Sequence, residues 1–173
     1  MSEIWKDGAF AEDEWIVVAN GEEVPADRPS LVGLTRWREE HDTLAARNAP
    51  LGLVFEPDAE WSDIAGDLDR FPVIAVNFPK YADGRGFSIA RLLRDRDGYR
   101  GEIRAVGDFF LDQLPYMRRV GIDAFAITDP HLRKGLERGD WPEVAHYLQP
   151  VDAAGEVPAG TRPWARRPAD RQG

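Results

Sequence analysis

The sequence predicts an α/β protein with a mainly parallel sheet, either doubly wound or curled like part of a barrel. Short apolar runs typical of buried strands alternate with stretches that place apolar residues at helical spacing. Four such strand–helix units follow one another in the centre of the chain. Because strand–helix–strand crossovers are right-handed in nearly all proteins, this alternation indicates parallel strands with helices on both faces of the sheet. Four units are too few to close an eight-stranded barrel, although a homodimer could supply the rest.

The first 30 residues are predicted to form an acidic N-terminal extension that carries a small β-hairpin. Residues 15–18 are a short apolar run with strand character, and Asn20-Gly21 is a dipeptide typical of hairpin turns. At the other end of the chain, residues 151–173 contain several prolines and glycines and an arginine-rich run. We expect this C-terminal segment to be a flexible tail.

The α/β domain is predicted to span residues 31–150. Its expected elements are a helix over 34–46, strands over 51–55, 71–78, 102–106 and 124–127, a short helix around 64–68, and helices over 88–96, 111–120, 132–138 and 142–148. The aromatic residues Phe109, Phe110 and Tyr116 lie at helical spacing, which predicts that they belong to the core.

Composition excludes several classes of function. The chain of 173 residues is long enough for one sizeable core, and it contains no cysteine, so disulfides, a catalytic thiol and a cluster held by its own thiolates are ruled out. Its three histidines lack zinc-site spacing, and we expect no metal and no intrinsic cofactor. Any redox cofactor would have to come from a partner. A net charge of −9 disfavours nucleic acid. With no long apolar run and no signal-like N-terminus, we expect no membrane contact and a cytoplasmic location.

Polar residues follow the predicted strands, where parallel sheets place their binding sites. The richest connection is the glycine-rich loop of residues 80–88, after the second strand of the domain. Its glycines, its cations and the following helix N-terminus suit a sulfate, phosphate or sulfite group. Neither a P-loop nor a dinucleotide fingerprint is present. The predicted anion or partner site consists of Asn77, Lys80, Asp83, Gly84, Arg85, Gly86, Ser88 as the helix N-cap, Arg104 and Asp108.

Two other interpretations of these residues stay open. In the first, the loop is structural: Asp83-Gly84 forms a turn, and Arg85 pairs with Asp83 or Asp108. In the second, the site is catalytic, and Asp83 or Asp108 acts as a general acid or base. Arg104 interrupts a strand that should be buried, so its charge needs a partner such as Asp108, Asp83 or a bound anion.

Two runs of the sequence resemble an uncharacterised bacterial family. They are NFPKYADGRGFSIARLLR at positions 77–94 and YRGEIRAVGD at positions 99–108, and the likeness continues through DQL at 112–114 and GIDAF at 121–125. The resemblance covers roughly residues 30–148. Genes of this domain-of-unknown-function family commonly lie beside those of sulfite reductase and phosphoadenylylsulfate reductase. Its members are often labelled probable oxidoreductases of sulfite reduction.

The resemblance implies a place in assimilatory sulfate or sulfite reduction, with either reductase as the expected partner. Our leading hypothesis is an accessory protein that binds an oxyanion or a reductase at the strand-end edge. The alternatives are an enzyme of sulfur assimilation with a barrel-like active site built from Asp and Arg residues, and a structural scaffold without a small ligand. Pairing of Arg85 and Arg104 within the fold would favour the scaffold.

Overall fold

The structure, a computed structural model, describes residues 2–142 together with the backbone of 156–159 and 162–168. Its main feature is an eight-stranded sheet, mostly parallel, that is curled into a half-barrel. The strands are β1 (Ser2–Lys6), β2 (Ala9–Asp13), β3 (Ile16–Val17), β4 (Ser30–Gly33), β5 (Leu51–Phe55), β6 (Val73–Phe78), β7 (Glu102–Gly107) and β8 (Ala124–Phe125). The order across the sheet is β2-β1-β8-β7-β6-β5-β4-β3. Strands β3 to β8 run parallel to one another, and β1 is antiparallel to β2 and β8.

Helices connect the parallel strands, as the alternation predicted. They are α1 (Leu34–Glu39) and α2 (His41–Ala45) after β4, a 3-10 helix (Ser62–Arg70) after β5, and α3 (Arg85–Asp95) after β6. A 3-10 turn (Leu111–Gln113) leads into α4 (Leu114–Arg119) after β7, and α5 (Pro130–Glu137) follows β8. The single helix predicted over 34–46 is broken at Glu40, where the backbone leaves the helical region.

The described helices pack on one face of the sheet only, which corrects the expectation of helices on both faces. Their buried residues join one core cluster with alternate strand residues such as Leu53, Ile74 and Ile103. The opposite, concave face is lined by a separate cluster of Leu31, Val73 and Ala75, with Trp15, Val54 and Val106 packed against it. No helix residue belongs to that second cluster. The partial-barrel form of the prediction therefore describes this sheet, and the doubly wound form does not.

The N-terminal residues are part of the sheet, and the predicted hairpin lies at a different turn. Strands β1 and β2 form a hairpin around Asp7-Gly8, whose φ angles of 52° and 85° suit a tight hairpin turn. Asn20 and Gly21 do form a turn, but β3 pairs in parallel with β4 instead of with a hairpin partner. Strand β1 pairs with β8, so the predicted extension supplies three strands of the half-barrel.

The two edges of the curled sheet meet at one point. Strand β2 is one edge and β3 is the other, yet only Glu14 and Trp15 lie between Asp13 and Ile16. Three residues of extended chain span at most about 11 Å. The short connection therefore holds the sheet in its curl, and the Trp15 ring packs on the concave face.

The C-terminal segment is described only in part. Glu156–Ala159 (β9) and Arg162–Pro168 (β10) pair as a separate antiparallel sheet. The helix predicted over 142–148 lies outside the described residues except for Pro142, and the flexibility expected of 151–173 stays a prediction. None of the helices in the described part of the chain is both long and apolar enough to cross a membrane.

Candidate functional site

The carboxyl ends of β6, β7 and β8 and the loops that follow them form the edge where the sequence placed a site. We call it the strand-end edge and define it by residues 77–88, 107–113 and 126–132.

Asp83 and Arg85 form a two-pronged ion pair within the glycine-rich loop. The Arg85 Nε donates to Asp83 Oδ1 at 2.9 Å, and an Arg85 terminal nitrogen donates to Asp83 Oδ2 at 2.7 Å. The backbone N–H of Arg85, at the start of α3, also donates to Asp83 Oδ1 at 3.2 Å. These hydrogen bonds, chiefly those from the side chain of Arg85, lower the pKa of Asp83. The guanidinium and the helix N-terminus predicted to hold an oxyanion thus hold this carboxylate of the same chain.

The two loop glycines have different roles. Helix α3 begins at Arg85 with Gly84 as its N-cap, three residues earlier than predicted, so Ser88 lies inside the helix instead of capping it. A Cβ at Gly86 would lie 2.5 Å from the ring of Phe78, whereas a Cβ at Gly84 would meet nothing within 4 Å. Gly86 is therefore required by packing, because the helix lies directly against β6 at this point.

Asn77 and Lys80 lie apart from the Asp83–Arg85 pair. The Asn77 amide donates to Glu56 Oε2 at 2.8 Å, which ties the end of β6 to the end of β5. Glu56 also lines a wide hollow of about 430 Å³ beside β3, β4 and β5. Lys80 is exposed, and no described residue forms an ion pair with its ammonium group. It is the one predicted cation of the loop without a partner among the described residues.

Arg104 is not part of the strand-end edge, which corrects its predicted place. It lies in β7 on the concave face, with its side chain only 4% exposed. One terminal nitrogen donates to both Asp13 oxygens at 2.9 and 2.8 Å, and the other donates to Glu102 Oε1 at 2.8 Å. Glu102 also accepts a hydrogen bond from Lys6 at 2.8 Å. The partner of the buried charge is therefore Asp13 with Glu102, and not Asp108, Asp83 or an anion.

A pocket of about 160 Å³ opens at the carboxyl ends of β7 and β8. Its polar lining residues include Asp108 and Asp129, and its apolar lining residues include Phe109 and Leu132. Asp129 Oδ1 accepts a hydrogen bond from the backbone of His131 at 2.7 Å and so caps α5. No hydrogen bond or ion pair from the described residues reaches the side chain of Asp108, which is exposed. The structure thus places Asp108 at the edge, but beside Asp129 and away from Arg104.

Two exposed aromatic side chains stand at the mouth of this pocket. Tyr81 is 56% exposed and Phe110 is 49% exposed, and their ring centroids lie 4.7 Å apart. Gln113 holds them together, because its Nε2 donates to the carbonyl of Tyr81 and its Oε1 accepts from the N–H of Phe110, both at 2.9 Å. Phe110 was predicted to be a core residue, and this prediction was wrong, whereas Phe109 is buried as expected.

The charge around the pocket is negative. Asp112 and Asp129 also line an adjoining hollow of about 440 Å³, together with Arg138, whose guanidinium pairs with Asp140. None of the described residues that line the smaller pocket is a lysine or an arginine. Within the described residues, no group of three His, Asp or Glu side chains could hold a metal ion. An anion at this pocket would be repelled, whereas a cation would be attracted.

Sequence reasoning missed Tyr81 and Phe110 as members of one site. The available signal was an aromatic residue in each of two polar connections that follow neighbouring parallel strands. The 29-residue separation of Tyr81 and Phe110 in the chain hid their contact, which depends on the adjacency of β6 and β7.

The fold and the site define an α/β half-barrel protein with an acidic pocket and an exposed aromatic pair at the carboxyl edge of its sheet. The chain belongs to a bacterial protein family of unknown function, DUF934, whose family model matches residues 52–155. The matched region starts in β5, so it contains the whole strand-end edge and leaves out β1 to β4. Comparison with curated proteins and with solved structures finds no match for the chain.

Proposed function

We propose that this protein is an accessory protein of assimilatory sulfate or sulfite reduction that binds a reductase at its strand-end edge. The pathway is inferred from the resemblance described above, and the binding role is inferred from the strand-end edge. The observation that carries the proposal is the exposed pair of Tyr81 and Phe110. Aromatic residues are the anchors that most often dominate the binding energy of protein interfaces, and solvent-exposed apolar patches mark such interfaces.

The pairing of the cations supports a protein partner over an oxyanion. Arg85 is engaged with Asp83, and Arg104 is engaged with Asp13 and Glu102 on another face. Only Lys80 is left among the cations predicted for an anion site, and a single exposed ammonium group is a weak oxyanion receptor. The pairing of both arginines also agrees with a scaffold without a small ligand, but the exposed aromatic rings of Tyr81 and Phe110 favour a macromolecular contact.

A second candidate is an enzyme of sulfur assimilation with Asp108 as its general acid or base. The position of Asp108 favours it, since barrel-like enzymes carry their catalytic groups at the carboxyl ends of strands. The pocket of about 160 Å³ is small beside the roughly 300–1,000 Å³ of most small-molecule sites. Asp83, the other candidate, has a lowered pKa because of Arg85, which makes it a poor base. These observations favour the binding role.

Purified components test the proposal directly. We expect the full-length protein to bind purified sulfite reductase or phosphoadenylylsulfate reductase in biolayer interferometry. Tyr81→Ala and Phe110→Ala should each weaken that binding by about thirtyfold, the usual loss at an aromatic hot spot. Leu92→Ala is the matched control, because Leu92 is also an exposed apolar residue but lies on α3, and it should bind like the wild type. Absence of binding to both reductases, or unchanged binding by both aromatic variants, would overturn the proposal.

A further inference from the structure

We infer that the partner inserts one basic side chain, an arginine or a lysine, into the pocket between Asp108 and Asp129. This inference rests on the partner-binding role proposed above and specifies the chemistry of the residue that is recognised. The aromatic rings of Tyr81 and Phe110 pack against the stem and the cationic head of that side chain. The edge is thus a receptor for a positively charged anchor.

The charge of the pocket is complementary to that of a basic side chain. Two aspartates line a pocket to which no described lysine or arginine contributes. Asp129 uses one oxygen to cap α5, and its other oxygen forms no hydrogen bond with the described residues. The side chain of Asp108 forms none with them at all. Elsewhere in the described chain, the partly buried carboxylates Asp13, Asp97 and Glu102 each have an arginine partner. Asp108 and Asp129 are exposed, and a basic side chain of the partner would supply the counter-charge that no described lysine or arginine supplies at the pocket.

The exposed rings of Tyr81 and Phe110 form a surface that attracts a cation. An arginine or a lysine is attracted to the face of an aromatic ring within about 6 Å of its centroid. The protein already uses this contact several times, for example with Arg133 over Phe10 at 4.2 Å and Arg96 over Trp61 at 5.1 Å. Tyr81 and Phe110 offer the same kind of surface at the pocket, and no arginine of the described chain stacks on them.

The pocket and its two aromatic rings are already ordered before a partner binds. Gln113 hydrogen-bonds to the backbone of both aromatic residues, so the two loops keep a fixed separation before any partner arrives. The pocket of about 160 Å³ has room for one side chain. A receptor that is already ordered avoids the entropy cost of forming on binding. Gln113 is therefore a positioning residue for the site.

Nuclear magnetic resonance of the full-length protein tests the inference without any partner. The probes are the blocked tripeptide Gly-Arg-Gly and its citrulline counterpart, which has nearly the same shape without the charge. We expect the arginine peptide to shift the backbone amide signals of residues 107–110 and 128–132, and to bind about tenfold more tightly than the citrulline peptide. Asp108→Asn and Asp129→Asn should each remove most of that preference.

The variants are chosen to keep the fold intact. Asparagine is as good an N-cap as aspartate, so Asp129→Asn preserves the start of α5. Asp95→Asn is the matched control, since it removes one exposed carboxylate from α3, and it should keep the preference. Equal binding of the two peptides, shifts located elsewhere on the protein, or an undiminished preference in both pocket variants would overturn the inference.

The outcome also separates this inference from the proposed function. If a reductase binds and depends on Tyr81 and Phe110, but the arginine preference is absent, then only the inference about the pocket is wrong. If the arginine peptide binds in the pocket and neither reductase does, then the proposed function is wrong and the pocket serves another basic partner. If the pocket variants instead change the oligomeric state of the protein and the peptide does not bind, then the occupant is a second copy of the chain.

Discussion

Gly107 shows how tightly single residues are constrained at the strand-end edge. It ends β7 with a φ of 97°, a conformation that residues with a Cβ rarely adopt. A Cβ there would also collide with the carbonyl of Phe78 and lie 2.8 Å from the Asn77 Oδ1. We expect Gly107→Ala to lower the free energy of unfolding by at least about 2 kcal/mol, because backbone strain and a backbone clash add. Chemical denaturation followed by circular dichroism measures it.

Gly84 is the matched control for Gly107. It has a φ of −76°, and a Cβ would meet nothing within 4 Å. Gly84→Ala should therefore change the free energy of unfolding by at most about 1 kcal/mol, because the lower entropy of the unfolded chain offsets the poorer fit of alanine at an N-cap. If the two variants had equal stability, the constraint at Gly107 would be smaller than its geometry indicates.

Some residue contacts could be predicted from the sequence, and others could not. The pairing of Arg85 with Asp83 was one of two options considered, because a turn with both charges two positions apart allows it. The contact of Arg104 with Asp13 spans 91 positions and depends on how far the sheet curls. Hydrophobic periodicity reports which face of a strand is buried, but it does not report curvature.

At the scale of elements, the buried ion pairs connect β2 to β7 across the concave face. Arg104→Met should lower the free energy of unfolding by about 3 kcal/mol, because it removes the buried guanidinium that pairs with the nearly buried carboxylate of Asp13. The matched control is Arg91→Met, which removes an exposed arginine that pairs with Asp95 on α3 and should cost at most about 0.5 kcal/mol. Urea denaturation of the three proteins compares them. Equal stabilities of the two variants would contradict the structural role of the pair.

The Arg104→Met variant should unfold more readily in acid than the wild type. Burial by itself raises the pKa of Glu102, but Lys6 and Arg104 outweigh it, and the pKa lies below its ordinary value of 4.5. A lowered pKa means that Glu102 stabilises the fold above about pH 4.5 and loses this contribution as the pH falls through the folded-state value. In Arg104→Met, less positive charge opposes the effect of burial on Glu102, so the pKa of Glu102 is higher than in the wild type. The midpoint of acid unfolding should then move to higher pH, as measured by circular dichroism.

The elements that the sequence predicted well are those with a strong local signal. Strands β5 to β8 were expected because each contains an apolar run, and each is present. Strand β4 was missed because only Leu31 and Val32 mark it and α1 follows at once. The N-terminal hairpin was placed at Asn20-Gly21, although Asp7-Gly8 carries an equally good turn signal, because the flanking strands are rich in acidic residues. Pairing with β8, which stabilises that hairpin, is a long-range effect.

At the scale of the whole molecule, the half-barrel separates stability from binding. The family match begins at residue 52. The ion pairs of the concave face join residues before that position, such as Asp13, to residues after it, such as Arg104, whereas the strand-end edge lies entirely within the matched region. Substitutions on the concave face should therefore change stability, and those at Tyr81 and Phe110 should change binding with little effect on stability, because both rings are about half exposed.

Growth of a deletion strain provides the test at this scale. If the protein assists sulfate assimilation, the strain should grow on cysteine and fail on sulfate as the sole sulfur source. Growth on sulfite would place the defect before sulfite reduction, and failure on sulfite would place it at that step. The gene for Leu92→Ala should restore growth, whereas that for Phe110→Ala should not, provided that both proteins accumulate to equal levels. Unchanged growth of the deletion strain on all three sources would contradict the proposed pathway, because loss of a binding protein that the reductases require should impair growth on sulfate.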